Sequence, residues 1–367
     1  MNTPSNIYLG VMSGTSLDGA DAVALTVNGS HFEVIGAHSM PFDAHLRAAC
    51  LALQSAQDNE IHTAQLLSNQ LADVYSSAIV SLMNDLSLKP EQVAAVGVHG
   101  QTIRHRPEHA YTVQLNQPAR IAEQTGLTVV SDFRARDIAA GGHGAPLVPA
   151  FHDALWRETN TNRVVVNIGG FANISVLNMG QTTFGFDTGP GNVLMDLWIA
   201  AHHALPYDAN GGWAAQGTVN ERLLADMLAD SYFHLPAPKS TGRDYFHMDW
   251  LNGKLAGHAN ISAVDVQATL LALTAHSISD AIKSNSPHCH DIIVAGGGAL
   301  NRALMLQLQM LSHCPVTNSG TLGIDPMHLE GAAFAWLAFR TMHHLSGNLP
   351  AVTGARGERI LGQVTFA

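Results

Sequence analysis

The sequence predicts an α/β protein made of two domains built on the same plan, and three observations carry that prediction. A strand, a glycine-containing turn and further strands occur twice, once from Ile7 and again from Val164. Each occurrence is followed by helical patterns. Hydrophobic residues make up 46% of the 367 and charged residues only 13%, enough apolar material for a large core rather than a disordered chain. At about 100–200 residues per domain, the length also suits two.

The opening run Ile7–Met12 is apolar, and Ser13-Gly14-Thr15-Ser16-Leu17-Asp18-Gly19 is a turn. Runs over 22–27 and 32–37 complete an antiparallel meander. Helical periodicity covers 44–55 and 61–86, and a buried strand at 93–99 ends in Gly100-Gln101-Thr102. The second unit repeats this order: a strand at 164–168, the turn Gly169-Gly170-Phe171-Ala172-Asn173, a strand at 174–177, and another at 182–186 that ends at Asp187. Helices follow near 192–203, 220–229 and 264–284. The strand at 292–295 meets a third turn, Gly296-Gly297-Gly298-Ala299-Leu300-Asn301, then a helix from Arg302. Two facing α/β domains with a cleft between them follow from such a duplication. The boundary expected from composition divides the chain into 1–131 and 132–367, with the tail 354–367 packing back on the first domain.

The balance of charge excludes some functions. A net charge of −11 with 18 Lys+Arg argues against a general nucleic-acid surface. A polyanion can still be bound locally by backbone N–H groups and a bridging metal. Cys50, Cys289 and Cys314 form no CxxC pair, as expected in a reducing compartment. His288-Cys289-His290 lacks the spacing of a structural zinc site and reads as a polar loop. Neither a secretory signal nor an apolar stretch long enough for a membrane is expected.

Chemistry gathers at the turns. Gly14 and Gly19 bracket two hydroxyls and Asp18, which reads equally as a phosphate nest with a Mg²⁺ carboxylate or as a polar hairpin turn. It is no P-loop, because GxxxxGK[ST] is absent. Gly169-Gly170 suits the other side of a triphosphate, and Gly296–Gly298 suits a base or ribose lying against bare backbone. Asp187 reads either as a general base or as a helix N-cap. His99, Gln101 and Arg104, then Asp132, Arg134, Arg136 and Asp137, also follow strands; the arginines suit an oxyanion or internal salt bridges. Glu330 heads an apolar helical run as either a dipole-favoured acid or a site group.

Several strings together resemble the anhydro-N-acetylmuramic acid kinase family. They are Gly10-Val11-Met12-Ser13-Gly14-Thr15-Ser16-Leu17-Asp18-Gly19-Ala20-Asp21, His99-Gly100-Gln101-Thr102, Asp132-Phe133-Arg134 and Gly144-Ala145-Pro146-Leu147-Val148-Pro149, followed by Asn167-Ile168-Gly169-Gly170, Phe186–Asn192, Gly296–Asn301 and Glu330–Ala335. They run in order through nearly the whole chain, with Gly331 standing where alanine is more usual. The resemblance implies the sugar kinase, actin and Hsp70 (ribonuclease H-like) superfamily, with ATP and Mg²⁺ in the cleft. It implies conversion of 1,6-anhydro-N-acetylmuramic acid, ATP and water to N-acetylmuramic acid 6-phosphate and ADP, in peptidoglycan recycling. Asp187 then matches the catalytic base. Residues 14–21 (Gly14, Thr15, Ser16, Leu17, Asp18, Gly19, Ala20, Asp21) would hold the phosphates, with Asp18 on Mg²⁺. Gly169, Gly170, Gly296, Gly297, Gly298 and Asn301 would complete the nucleotide site, and His99, Gln101, Arg134 and Glu330 would face the amino sugar. A cytoplasmic homodimer is implied as well. An ordinary sugar kinase, or a filament or chaperone ATPase of the same superfamily, would carry similar turns.

Overall fold

The computed structural model describes residues 5–14, 17–237, 239–258 and 260–367. The chain forms two compact units. One ends at Leu155 and resumes at His328; the other is the continuous segment Trp156–Met327.

The first unit opens with β1 (Ile7–Met12), β2 (Gly19–Asn28) and β3 (His31–Pro41), paired antiparallel in sequence. Helix α1 (Ala44–Ala52) starts where the Asp43 carboxylate accepts the Leu46 N–H at 2.7 Å, a side-chain N-cap. After α2 (Glu60–Asp85), β4 (Ala95–Val98) adds parallel to β1. A separate hairpin of β5 (Gln101–Arg106) and β6 (Tyr111–Leu115) follows, then α3 (Pro118–Thr125) and β7 (Val129–Ser131), which lies parallel to β4. Two further helices, α4 (Ala135–Ala139) and α5 (Val148–Trp156), lead out of this part of the chain.

The second unit repeats the plan. Strands β8 (Arg163–Ile168), β9 (Phe171–Leu177) and β10 (Phe184–Pro190) are antiparallel neighbours. Helices α6 (Val193–His203), α7 (Glu221–Leu228), α8 (Met248–Leu255) and α9 (Ala263–Asn285) precede β11 (Asp291–Ala295), which is parallel to β8. Then α10 (Arg302–Ser312) leads to β12 (Val316–Asn318). Sheet order β10-β9-β8-β11-β12 matches β3-β2-β1-β4-β7 strand for strand. The central strands are buried on both faces, which is why Val164–Val166 and Ile292–Val294 are unbroken β-branched runs.

The last 40 residues return to the first unit. Helix α11 (Leu329–Met342) lies on β1 and β4, α12 (Pro350–Thr353) follows, and β13 (Gln363–Thr365) pairs antiparallel with β7. Close contact with α11 demands glycine in the strands. A Cβ on Gly10 would stand 2.0 Å from the Gly331 carbonyl oxygen, and one on Gly97 2.1 Å from that of Phe334.

The boundary expected at 131/132 is therefore corrected to 155/156, with a second crossing at 327/328. Residues 132–155 stay with the first unit because their partners come from the tail. Phe133 packs 5.5 Å from Phe334, and the buried Asp137 binds Asn348 and Thr353, each at 2.7 Å. These pairings join segments about 200 residues apart and leave no local change in composition to mark them.

Candidate functional site

In the second unit, register places the polar residues. Asp187 pairs with Asn173, Asn173 with Asn167, and Asn167 with Ala295. This row crosses four strands near the carboxyl ends of β8, β10 and β11, the end where open α/β sheets bind ligands. Asp187 does not end its strand or cap a helix: β10 runs on to Pro190, and Asn192 holds the cap position of α6. A bulge between Asp187 and Gly189 re-aims the chain just beyond the carboxylate.

The glycine turns come to the same edge. Gly169 and Gly170 accept the N–H groups of Asn192, Gly191 and Val193 at 2.9–3.0 Å, which docks the β8–β9 turn on the start of α6. Gly296 has φ +76°, and a Cβ there would stand 2.6 Å from the Asn167 side-chain oxygen. A Cβ on Gly298 would strike Ile168 at 2.3 Å. The third turn is thus packed on the end of β8, too closely for a side chain at Gly296 or Gly298. Asn301 is occupied differently: its side-chain oxygen caps α10 through the Leu304 N–H at 3.1 Å.

Asp187 is largely enclosed. Burial pushes its carboxyl up to about 6, opposed by the Thr241 N–H, which donates to Oδ2 at 3.0 Å. A carboxyl poised there is ionised at neutral pH yet basic enough to take a proton, as general-base catalysis requires. The strap around Lys239 and Thr241, which supplies that N–H, is the part of the site that motif reading overlooked. Its only local signal is Lys239-Ser240-Thr241-Gly242-Arg243, a polar, turn-like run after two prolines.

In the first unit, the β1–β2 turn carries Gly14, Leu17, Asp18, Gly19, Ala20 and Asp21; the expected Thr15 and Ser16 lie outside the described residues. Leu17 sits at φ +60° with its side chain only 1% exposed, anchoring the turn in the core. Its N–H donates to the Gly14 carbonyl at 3.2 Å. A Cβ on Gly19 would meet the Met40 carbonyl at 2.4 Å. The Asp18 side chain is 71% exposed and faces an Arg47 terminal nitrogen at 3.4 Å. Ala20 is buried in β2, and Asp21 accepts the Ser39 hydroxyl.

His99, Gln101, Arg134 and Glu330 are also gathered in the first unit. The His99 N–H donates to the Val11 carbonyl at 3.0 Å, next to the β1–β2 turn. Its ring faces Phe334 at 4.7 Å, and its Nε2 receives Arg134. Burial draws Arg134 down to about 10, opposed by the negative charges of Glu330 and Asp137. Another Arg134 nitrogen donates to the Gly144 carbonyl at 2.8 Å. Gln101 is buried, and its side-chain oxygen has no hydrogen-bond partner among the described residues.

The family model of anhydro-N-acetylmuramic acid kinase matches residues 6–367. The chain belongs to that family. Among family members, the Pseudomonas paraeruginosa anhydro-N-acetylmuramic acid kinase is 48% identical over 356 residues, covering 97% of each chain. The Nitrosomonas europaea kinase of the same name is 47% identical over 360 residues, covering 97% of this chain and 99% of its own. Among solved structures, the activator of the 2-hydroxyisocaproyl-CoA dehydratase from Clostridium difficile with bound ADPNP superposes with a TM-score of 0.50 at 13% identity, covering 92% of this chain and 96% of its own. That likeness concerns the fold alone. The shared fold, two α/β units on one plan, is the one the duplicated strands and turns led one to expect. Among the described residues no helix is long and apolar enough to cross a membrane.

Proposed function

We infer that the protein is an ATP-dependent kinase that opens the 1,6-anhydro ring of 1,6-anhydro-N-acetylmuramic acid and phosphorylates O6, with Asp187 as the general base. Family membership supports the reaction, and the carboxyl of Asp187, poised near 6 at the carboxyl edge of the second sheet, supports the base.

The substrate has no free 6-hydroxyl, because O6 is tied to C1. Water attacks C1 and gives its proton to Asp187. The C1–O6 bond breaks as O6 bonds to the γ-phosphorus, and the γ-phosphorus releases ADP. The phosphoryl group thereby replaces the proton that an inverting glycosidase supplies to its leaving oxygen. The proton on Asp187 is then returned to solvent.

The glycine turns support phosphate and nucleoside binding, since bare backbone admits a ligand closely and offers N–H donors. Among the described residues no group of three metal-ligating side chains exists, so the donor set suits a nucleotide-borne Mg²⁺ rather than a protein-built cage. Asp18, exposed and in a surface ion pair with Arg47, is the residue we assign to that ion, which would neutralise charge on the phosphates. Arg134 is assigned to the lactyl carboxylate, and Glu330 to the sugar's polar groups. The orphaned oxygen of Gln101 and the adjoining His99 support a polar ligand there. A cytoplasmic setting agrees with three free cysteines, and the proposed homodimer is tested by sedimentation velocity.

The deciding experiment is ADP release with Mg-ATP and 1,6-anhydro-N-acetylmuramic acid for wild type and Asp187→Asn. Sugar-dependent turnover reduced by about 10² or more in the variant is expected. Turnover that survives removes Asp187 from its role. Reaction in ¹⁸O-water should place label on C1, and an unlabelled product would exclude hydrolytic opening.

A further inference from the structure

Asp187 is held at three points by one neighbouring stretch of chain. Its N–H donates to the Lys239 carbonyl at 3.0 Å, its carbonyl accepts the Tyr232 hydroxyl at 2.6 Å, and its Oδ2 accepts the Thr241 N–H at 3.0 Å. The strap that makes these contacts is itself tied down. The Lys239 ammonium donates to the carbonyls of Tyr232 and Phe233, at 2.9 and 3.3 Å, and stands 4.6 Å from the centre of the Tyr232 ring. It has no carboxylate partner among the described residues. Tyr232 is 2% exposed and packs edge-on against Phe246, which is wholly buried.

Placing an ammonium half out of water to serve two main-chain carbonyls is costly, and burial accordingly lowers the Lys239 pKa. A lysine at the surface would cost nothing, so the position needs an explanation beyond solubility. The two carbonyls belong to the turn that carries the Tyr232 hydroxyl, and Lys239 begins the strap that carries the Thr241 N–H. One side chain therefore closes the ring of contacts around Asp187.

We propose that Lys239 and Tyr232 are positioning residues for the reaction: they pin the 239–241 strap so that the Thr241 N–H remains on Asp187 Oδ2 and fixes the direction of the carboxylate. The proposal rests on the reading of Asp187 as the general base. A hydrogen bond to the ionised carboxylate favours that form, so losing it raises the proton affinity of Asp187. Among the described residues the titratable group in contact with Asp187 is Tyr232, through its hydroxyl, while the Lys239 ammonium is directed at the Tyr232 and Phe233 carbonyls. Strand β9 presents Asn173 across the pair, and α9 meets this end of β10 through Thr274, which donates to the Pro190 carbonyl at 3.2 Å. Neither of these titrates.

The test is the pH profile of kcat/KM for Lys239→Met and Tyr232→Phe beside wild type and Asp187→Asn, with ADP release as the readout. Lys239→Met keeps the chain length without the charge, and Tyr232→Phe keeps the ring without the hydroxyl, so the second remains informative if the first does not fold. We expect the acid limb to move up by about one pH unit in each, with activity reduced about ninefold at pH 5, about twofold at pH 7, and recovered at pH 8.5. KM for ATP should stay within about twofold of wild type, and Lys239→Arg should restore part of the loss. A limb that stays in place, with activity lowered equally at every pH, would assign the strap a purely structural role and overturn the proposal. If Asp187→Asn itself keeps its turnover, the base reading fails and this inference falls with it. An inactive Asp187→Asn beside an unmoved limb in the strap variants removes the inference alone.

Discussion

Two nitrogens of the Arg134 guanidinium, Nε at 3.0 Å and a terminal nitrogen at 2.8 Å, meet the same Nε2 of His99. Arginine has only donors, so Nε2 must accept and the ring is a neutral imidazole. Burial, and then the charge of Arg134, hold His99 well below its usual value. Burial likewise pushes His152 down to about 3 and, with Arg134, His105 to about 4. In the unfolded chain these rings take up protons near pH 6.5. Below that pH the unfolded state binds more protons than the folded one, so stability falls as pH drops from about 6.5 towards 4. Each ring contributes up to about 1.4 kcal/mol per pH unit. Urea unfolding at pH 7, 6, 5 and 4 should show His152→Asn losing its share of that slope, whatever its stability at pH 7.

The glycines beneath α11 should respond unequally to a methyl group. Gly10→Ala drives a Cβ into backbone atoms of Gly331 and Ala335, at 2.0 and 2.4 Å, which cannot yield without moving the helix. A loss of about 3 kcal/mol is expected. At Gly331 the obstacle is Cγ2 of Val23 at 2.5 Å, a side-chain atom, and alanine regains up to about 1 kcal/mol of helix propensity. Gly331→Ala should therefore cost about 1 kcal/mol, and Val23→Ala in the same chain should relieve its steric part. Denaturant midpoints of the three variants check the order.

The catalytic pH profile should follow Asp187. With its carboxyl near 6, kcat/KM should fall about tenfold per unit as pH drops below about 6 and level off above about 7. A limb near 4 would show that the carboxylate is solvated during turnover.

These particulars show what the sequence revealed and what it did not. The meander over β1–β3 and its repeat over β8–β10 were legible because apolar runs stop at glycine turns. Helices α2, α9 and α10 followed from their periodicity to within a residue or two. The site edge was legible as turns after strands. The roles of Tyr232 and Lys239 were not, because they act through main-chain carbonyls rather than through a motif of their own. The β5–β6 hairpin was missed because Gln101–Arg106 has a single apolar residue, Ile103, and lies outside the main sheet. Asn301, expected beside the nucleotide, also caps α10 through its side-chain oxygen, a role the sequence reading did not give it.

Asp137 should be among the least replaceable side chains outside the site. It is wholly buried and accepts from Asn348, Thr353 and the Gly144 N–H at 2.7–2.8 Å. Asp137→Ala strands three donors and should cost about 3–5 kcal/mol. The lost attachment should appear as faster hydrogen exchange in α12 and β13, ahead of global unfolding.

The split of the first unit also has a consequence for synthesis on the ribosome. Strand β1 emerges early, but α11, which covers it, follows some 300 residues later, and β13 is nearly the last segment made. At about 5–20 residues per second, that is a wait of roughly 15–60 s. Throughout it the apolar floor of the first sheet lacks its cover, while Trp156–Met327, continuous in sequence, is completed before α11 emerges. The nascent chain is therefore expected to acquire its middle first, and to need protection for its beginning until its end arrives.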